Sequence, residues 1–186
     1  MTDDIVLPDD TTRPEPFTFE DLSDKEMEPR RHLAMIHDHQ RENMRALREL
    51  IDKAHDGTLS PEALNAATDD LEMLDNYRRF GTLCGQHCQI VHTHHAIEDS
   101  YVFPALSAKA EVYRRIIARL TEEHDIVHAL ILRLIGELRA LIDDPSETAF
   151  ETAVATYEKF EGLLLSHFSY EERAIGPALG RYRIGV

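Results

Sequence analysis

The sequence predicts an all-α protein, an up-down-up-down four-helix bundle. Three observations point to it. Apolar residues recur at helical spacing through four long stretches, start and stop residues bracket those stretches, and no run alternates in the manner of a half-buried strand. Amphipathic helices joined by mostly short connections favour antiparallel neighbours. At 186 residues the chain has the length of one domain with a substantial core.

Residues 1–23 carry Pro8, Pro14 and Pro16 among acids and threonines and read as an extended or disordered leader. The bundle is expected over 24–180, with a short stub at 181–186. The first helix begins near Asp24. Leu33, Ile36, His39, Asn43, Leu47, Leu50 and Ile51 form its stripe, and His55-Asp56-Gly57-Thr58 stops it. Ser60-Pro61 has the form of an N-cap followed by proline at the first helical position. The second helical region runs to about Leu106. One straight helix of that length would span about 69 Å, too long for a bundle of this size, so Gly81 and Gly85 mark the expected kink or break. The third helix covers roughly Ala110 to Ile142, with Ile117, Leu120, His124, Val127, His128, Ile131 and Leu134 on its stripe. Asp144-Pro145-Ser146-Glu147 has cap, proline and glutamate in order and opens the fourth helix, which runs to about Arg173.

The net charge of −15 argues against a nucleic-acid partner and against an anionic membrane surface, both of which attract basic patches. No apolar run has transmembrane length. The start, Met1-Thr2-Asp3-Asp4, lacks the basic and apolar segments of a secretory signal, so a cytoplasmic location is the expectation. Cys84 and Cys88 are the only cysteines. They would sit one helical turn apart, with no second pair for a structural zinc site even if His87 and His92 are counted, and they read as reduced packing residues.

The 11 histidines carry the chemistry. Three stretches place two ligand-type residues four apart: His94-x₃-Glu98, His124-x₃-His128 and His167-x₃-Glu171. Residues i and i+4 lie on one helix face and can reach one centre together. Around the first helix, His37 and His39 are both candidates. His39 falls on the chosen stripe and is preferred, while His37 lies about 200° away round the helix. With it the set is His39, His94, Glu98, His124, His128, His167 and Glu171.

An internal repeat selects among the acids. His94-x₃-Glu98-Asp99-x₄-Pro104-Ala105-Leu106 recurs as His167-x₃-Glu171-Glu172-x₄-Pro177-Ala178-Leu179, offset by 73 residues at every matched position. A duplicated helical hairpin explains it. The prolines then mark where each helix bends or ends. His95 aligns with Phe168, which cannot bind a metal, so His94 and Glu98 read as the inward pair. His95, Asp99 and Glu172 are left beside the site or on the surface, with Glu172 the rival of Glu171 on the fourth helix.

A lone histidine on an apolar face is ordinarily a core residue. A set of histidines and glutamates on several apolar stripes is different, because unpaired buried imidazoles and carboxylates are costly and cations resolve the cost together. Mixed nitrogen and oxygen donors suit iron. The zinc-protease His-Glu-x-x-His pattern is absent, as is the Glu-x-x-His pair of ferritin-like di-iron sites.

The order His39, His94-x₃-Glu98, His124-x₃-His128, His167-x₃-Glu171 resembles the hemerythrin-like (HHE cation-binding) family, over about residues 30–180. The resemblance implies two iron ions, oxo- or hydroxo-bridged, inside the bundle. It implies His124, His128 and His167 on one iron, His39 and His94 on the other, which keeps an open position, and Glu98 and Glu171 bridging them. Oxygen-carrying members have His-x₄-Asp where this chain has His-x₃-Glu, which places it nearer the bacterial branch. The expected ligand is O₂, H₂O₂ or nitric oxide. Peroxide disproportionation or nitric-oxide handling is one expectation, and a stand-alone sensor or storage module without turnover is the alternative. Tyr101 and Tyr170, each three residues from a proposed carboxylate, are candidate donors to a bound oxygen species, the plainer reading being aromatics at the bundle edge. His87, seven before His94, reads as a core histidine.

Overall fold

The computed structural model describes residues 5–55, 85–143 and 146–185. Helix α1 spans Asp24–His55 and α2 Gly85–Ile97. A π-turn at Glu98–Val102 leads into α3, Phe103–Ser107. Then come α4, Glu111–Asp143, α5, Glu147–Ala174, and the short α6, Gly176–Tyr182. No strand occurs among the described residues, and none of their helices is long and apolar enough to cross a membrane.

Local chemistry accounts for the helix ends. Ser23 and Glu26 form a reciprocal cap at the start of α1, with the Ser23 amide donating to Glu26 Oε2 at 2.9 Å and the Glu26 amide to Ser23 Oγ at 3.4 Å. This satisfies two amides that the first turn otherwise leaves open. At α5 the cap is Ser146, whose Oγ accepts from the Ala149 amide at 3.2 Å. The sequence had suggested Asp144 as the cap with Pro145 inside the helix. Asp144, Pro145, the Asp56-Gly57-Thr58 stop, Ser60-Pro61, Gly81 and Cys84 lie outside the described residues, as do the side chains of His87 and Cys88.

The repeated proline acts in both copies. Pro104 has no amide to return to the preceding turn, and the helix ahead of it widens into the π-turn, closed by the Phe103 amide on the Glu98 carbonyl. In the second copy α5 ends after Glu171, with the Ile175 amide on the Glu171 carbonyl at 2.9 Å, and Pro177 opens α6.

Two apolar clusters divide the interior. One gathers Leu33, Val102, Phe103, Leu106, Ile116, Leu120, Tyr170 and Ala174. The other gathers Met44, Leu47, Val91, Val127, Leu130, Leu134, Phe160 and Leu164. Four helical stretches cross from one to the other. α1 meets the first cluster at Leu33 and the second at Met44, whereas α2 with the π-turn after it runs from Val91 in the second to Val102 in the first. α4 goes from Ile116 to Leu130, and α5 from Phe160 to Ala174. Successive helices therefore alternate in direction, the up-down-up-down order predicted. Each fully buried leucine contributes about 1.5–3 kcal/mol, and the two clusters clamp whatever lies between them.

The leader holds a 3₁₀ turn at Asp10–Thr12 and is docked on the helices. Arg119 on α4 holds it through Thr12 Oγ1 at 3.0 Å and the Asp9 carbonyl at 2.9 Å, and the Tyr170 hydroxyl donates to the Pro14 carbonyl at 2.9 Å.

α6 packs against the start of α1 so closely that a Cβ on Gly180 would stand 1.6 Å from the Glu26 carbonyl oxygen. A Cβ on Gly176 would meet only the flexible Arg30 side chain, at 2.8 Å. Gly180→Ala is expected to cost about 1–3 kcal/mol or more, as overpacking against rigid backbone does. Gly176→Ala should cost less, because Arg30 can move aside. Denaturant unfolding of the two variants checks the order.

Candidate metal centre

Between the two clusters every helix turns polar side chains inward. On α1 the buried stripe is Leu33, His37, Gln40, Met44 and Leu47. It puts His37, not His39, on the inner face. His39 is exposed, with its Nε2 3.5 Å from the Asn43 amide nitrogen. This corrects the stripe chosen from the sequence. Leu33 and Leu47 belong to both candidate stripes, Ile36 favoured one, and Met44 marks the other.

α2 contributes His94 and His95, the π-turn after it Glu98, α4 His124, and α5 His167 and Glu171. They assemble as two groups: His95, His124 and His167 in one, and His37, His94, Glu98 and Glu171 in the other, with candidate ligand atoms within 4.8 Å of one another in each. The carboxylates touch both groups. Glu171 Oε2 lies 3.4 Å from His37 Nε2 and 3.6 Å from His167 Nε2. Glu98 sets Oε1 3.3 Å from His94 Nε2 and Oε2 3.7 Å from His124 Nε2. Donors about 2.0–2.1 Å from one cation stand about 3.0–3.4 Å apart at octahedral or tetrahedral angles, close to the separations seen.

The outer face of each ring fixes its proton. His37 Nδ1 donates to Glu172 Oε1 at 2.9 Å, His124 Nδ1 to Asp99 Oδ1 at 3.0 Å, and His167 Nδ1 to Glu123 Oε2 at 2.9 Å. A carboxylate acceptor commits Nδ1 as the donor, so each neutral ring turns the Nε2 lone pair inward. No such carboxylate commits His94, so its Nε2–H can donate to His37 Nε2 at 3.0 Å. His124 Nε2 and His167 Nε2, however, face each other at 3.2 Å with both protons committed outward. Facing lone pairs repel unless a positive charge lies between them. Both oxygens of Glu98, both of Glu171 and His95 Nε2 are buried with no hydrogen-bond partner. Such groups are expensive to bury alone, and the donor set fits a pair of cations.

Electrostatics points the same way. Burial and the neighbouring Glu171 charge push the Glu98 carboxyl well above its ordinary value. Burial acts on Glu171 too, but the nearby imidazoles of His37, His167 and His94 outweigh it and hold that carboxyl low. Burial lowers His94 to about 4 and His95 well below its usual range, and the surrounding imidazoles lower His95 further. Both rings are thus neutral at neutral pH, one nitrogen bearing a proton and the other a free lone pair. Burial also raises Glu123, yet hydrogen bonds from His167, Arg13 and Arg119 bring it to about 2.

Of the residues singled out in the sequence, His94, Glu98, His124, His167 and Glu171 meet here. His128 is half-buried at the margin, its Nε2 3.3 Å from His95 Nδ1. His95 takes the inner place that the repeat had seemed to deny it. The repeat itself is sound: Phe168, its counterpart, is equally buried and stacks on His37 at 4.1 Å, as His95 stacks on His124 at 3.7 Å. Both positions face inward; only the residue type differs. Tyr101 is exposed and Tyr170 gives its hydroxyl to the leader, so neither aims at the centre.

Over residues 28–179 the chain matches the hemerythrin HHE cation binding domain. The chain belongs to this family. No curated protein and no solved structure matches it. Among the described residues of this cation-binding domain, the buried histidine and glutamate groups could hold a metal ion.

Without metal, Glu98 keeps its proton in the folded state at pH values where the unfolded chain, with an ordinary carboxyl near 4.5, has lost it. Glu98's own contribution to the stability of the metal-free protein should therefore fall as pH rises above about 4.5 toward the raised value, against the gain from His94 and His95, which stay neutral in the fold while the unfolded rings are still protonated. Glu98→Gln has no proton to release and is expected to flatten that slope while weakening metal binding. Urea unfolding across pH in the presence of chelator checks it.

Proposed function

We propose that this protein holds two iron ions and uses them to bind or react with O₂, peroxide or nitric oxide. His37 and His94 would hold one iron, His95, His124 and His167 the other, and Glu98 and Glu171 both. When bound, the irons supply the redox chemistry and an exchangeable coordination position. The observation that carries the reading is the inequality of the two halves. At matched positions of the repeat, one half has the imidazole of His95 and the other the phenyl ring of Phe168. The half with two imidazoles is the one with room for a small ligand.

The chain's own groups do the rest. Leu120 and Leu164 lie in the apolar clusters on either side and keep bulk water from the centre. Glu172, Asp99 and Glu123 orient His37, His124 and His167 through Nδ1. Gln40 is buried, three residues along α1 from His37, and neither of its amide atoms has a hydrogen-bond partner. It offers a donor on the face that carries His37.

Metal analysis and an optical spectrum of the aerobically purified protein test the proposal. Two irons per chain, with a spectrum that responds to H₂O₂, O₂ or nitric oxide, are expected. Oxygen evolution from peroxide would mark turnover, and reversible binding without it a carrier or sensor. Zinc, or no metal, would sink the iron reading.

The residue assignment has its own test. His37→Ala should lose close to one iron per chain and His39→Ala none. His95→Ala should impair binding more than His128→Ala. The reverse order in either pair would overturn the assignment.

A further inference from the structure

The leader reaches the centre. Arg13 is 8% exposed and pairs with Glu123 through two hydrogen bonds, Nε to Oε1 at 2.8 Å and Nη2 to Oε2 at 3.1 Å. Glu123 Oε2 also accepts from His167 Nδ1 at 2.9 Å, and Oε1 accepts from Arg119 at 2.6 Å. Arg13 is held in turn. Its Nη1 donates to Ser166 Oγ at 2.8 Å, and its guanidinium lies over the Tyr170 ring, 4.9 Å from the centroid. The other orienting glutamate, Glu172, takes its arginine from within the bundle: Arg41 of α1, at 2.8 Å.

We propose that Arg13 is a positioning residue of the metal centre, acting through Glu123 to fix the tautomer and angle of His167, so that the leader completes the three-imidazole half of the site. The inference rests on the two-metal reading. A planar guanidinium bonded to both carboxylate oxygens fixes the carboxylate plane, and that plane fixes the direction in which His167 Nε2 points. A lysine keeps the charge but not the fork. Arg41 reaches Glu172 through one hydrogen bond only, Nη2 to the Oε1 that also accepts from His37 Nδ1, so the two arginines address different metals.

The test uses full-length protein loaded with ferrous iron, with release to a ferrous chelator followed in time and metal-free thermal stability measured in parallel. Wild type is expected to release iron in two phases. Arg13→Gln should speed one phase by about tenfold or more, the scale typical of lost outer hydrogen bonds to a metal ligand. Arg13→Lys should fall between, and Arg41→Gln should speed the other phase. Thr12→Val, which removes the hydroxyl's hydrogen bonds with Arg119 and the Asp9 carbonyl but none made by Arg13, should leave both phases unchanged. Unaltered release in Arg13→Gln would overturn the proposal, as would equal acceleration of both phases or acceleration of the same phase by both arginine variants. If Arg13→Gln does not fold, Arg13→Lys decides by the same criterion. Wild type that retains no second iron defeats the underlying two-metal reading itself, an outcome distinct from two irons that are indifferent to Arg13.

Discussion

The fold depends on one electrostatic constraint. Two carboxylates and five imidazoles occupy the middle of the bundle, in two groups whose inner atoms lie within 4.8 Å of one another, and most of those atoms lack a neutralising partner in the chain. Isolated charges in a low-dielectric interior cost many kcal/mol. The chain meets that cost on the outside only: each of three histidines is tied through Nδ1 to a carboxylate, and two of those carboxylates are tied to arginines. On the inside the balance is left to a cation. The apolar clusters above and below then serve two ends, stability for the helices and a dry boundary for the charges.

The fold class was legible because helical periodicity is set by local sequence, and the cap chemistry at Ser23 and the prolines of the repeat are local too. The carboxylates were legible for a related reason. The gapless repeat ties Glu98 to Glu171, and the structure gives both the same role between the two groups. Facing was harder. On α1 two stripes share Leu33 and Leu47, and the sequence holds apolar residues on each, so His37 and His39 could be separated only by packing. His95 was misjudged because its repeat partner cannot bind metal; alignment reveals shared direction, not shared chemistry. The docked leader left a weaker trace. Arg13 stands among prolines and acids, and nothing nearby in sequence marks its partner Glu123, 110 residues on.

The repeat also explains how a near-symmetric scaffold gives unequal halves. Asp99 reaches across to His124 and Glu172 to His37, the same cross-brace drawn twice. The stacked pairs repeat as well, with planes 5° apart for His95 on His124 and 15° for Phe168 on His37. A single exchange of imidazole for phenyl then separates the halves, at a position whose packing it leaves almost unaltered.

The clamp around Arg13 has a consequence for the order in which the protein is made. Arg13 bonds Ser166 across 153 residues and Glu123 across 110, so an early-made segment waits for a much later one. Contacts that span so much chain carry a loop-closure cost before they return any stability. The helices on either side can pair early through their apolar stripes, but the three-histidine pocket cannot take its final form until α5 is complete and the leader has come back to it. The shape of that pocket is thereby tied to the closure of both long contacts.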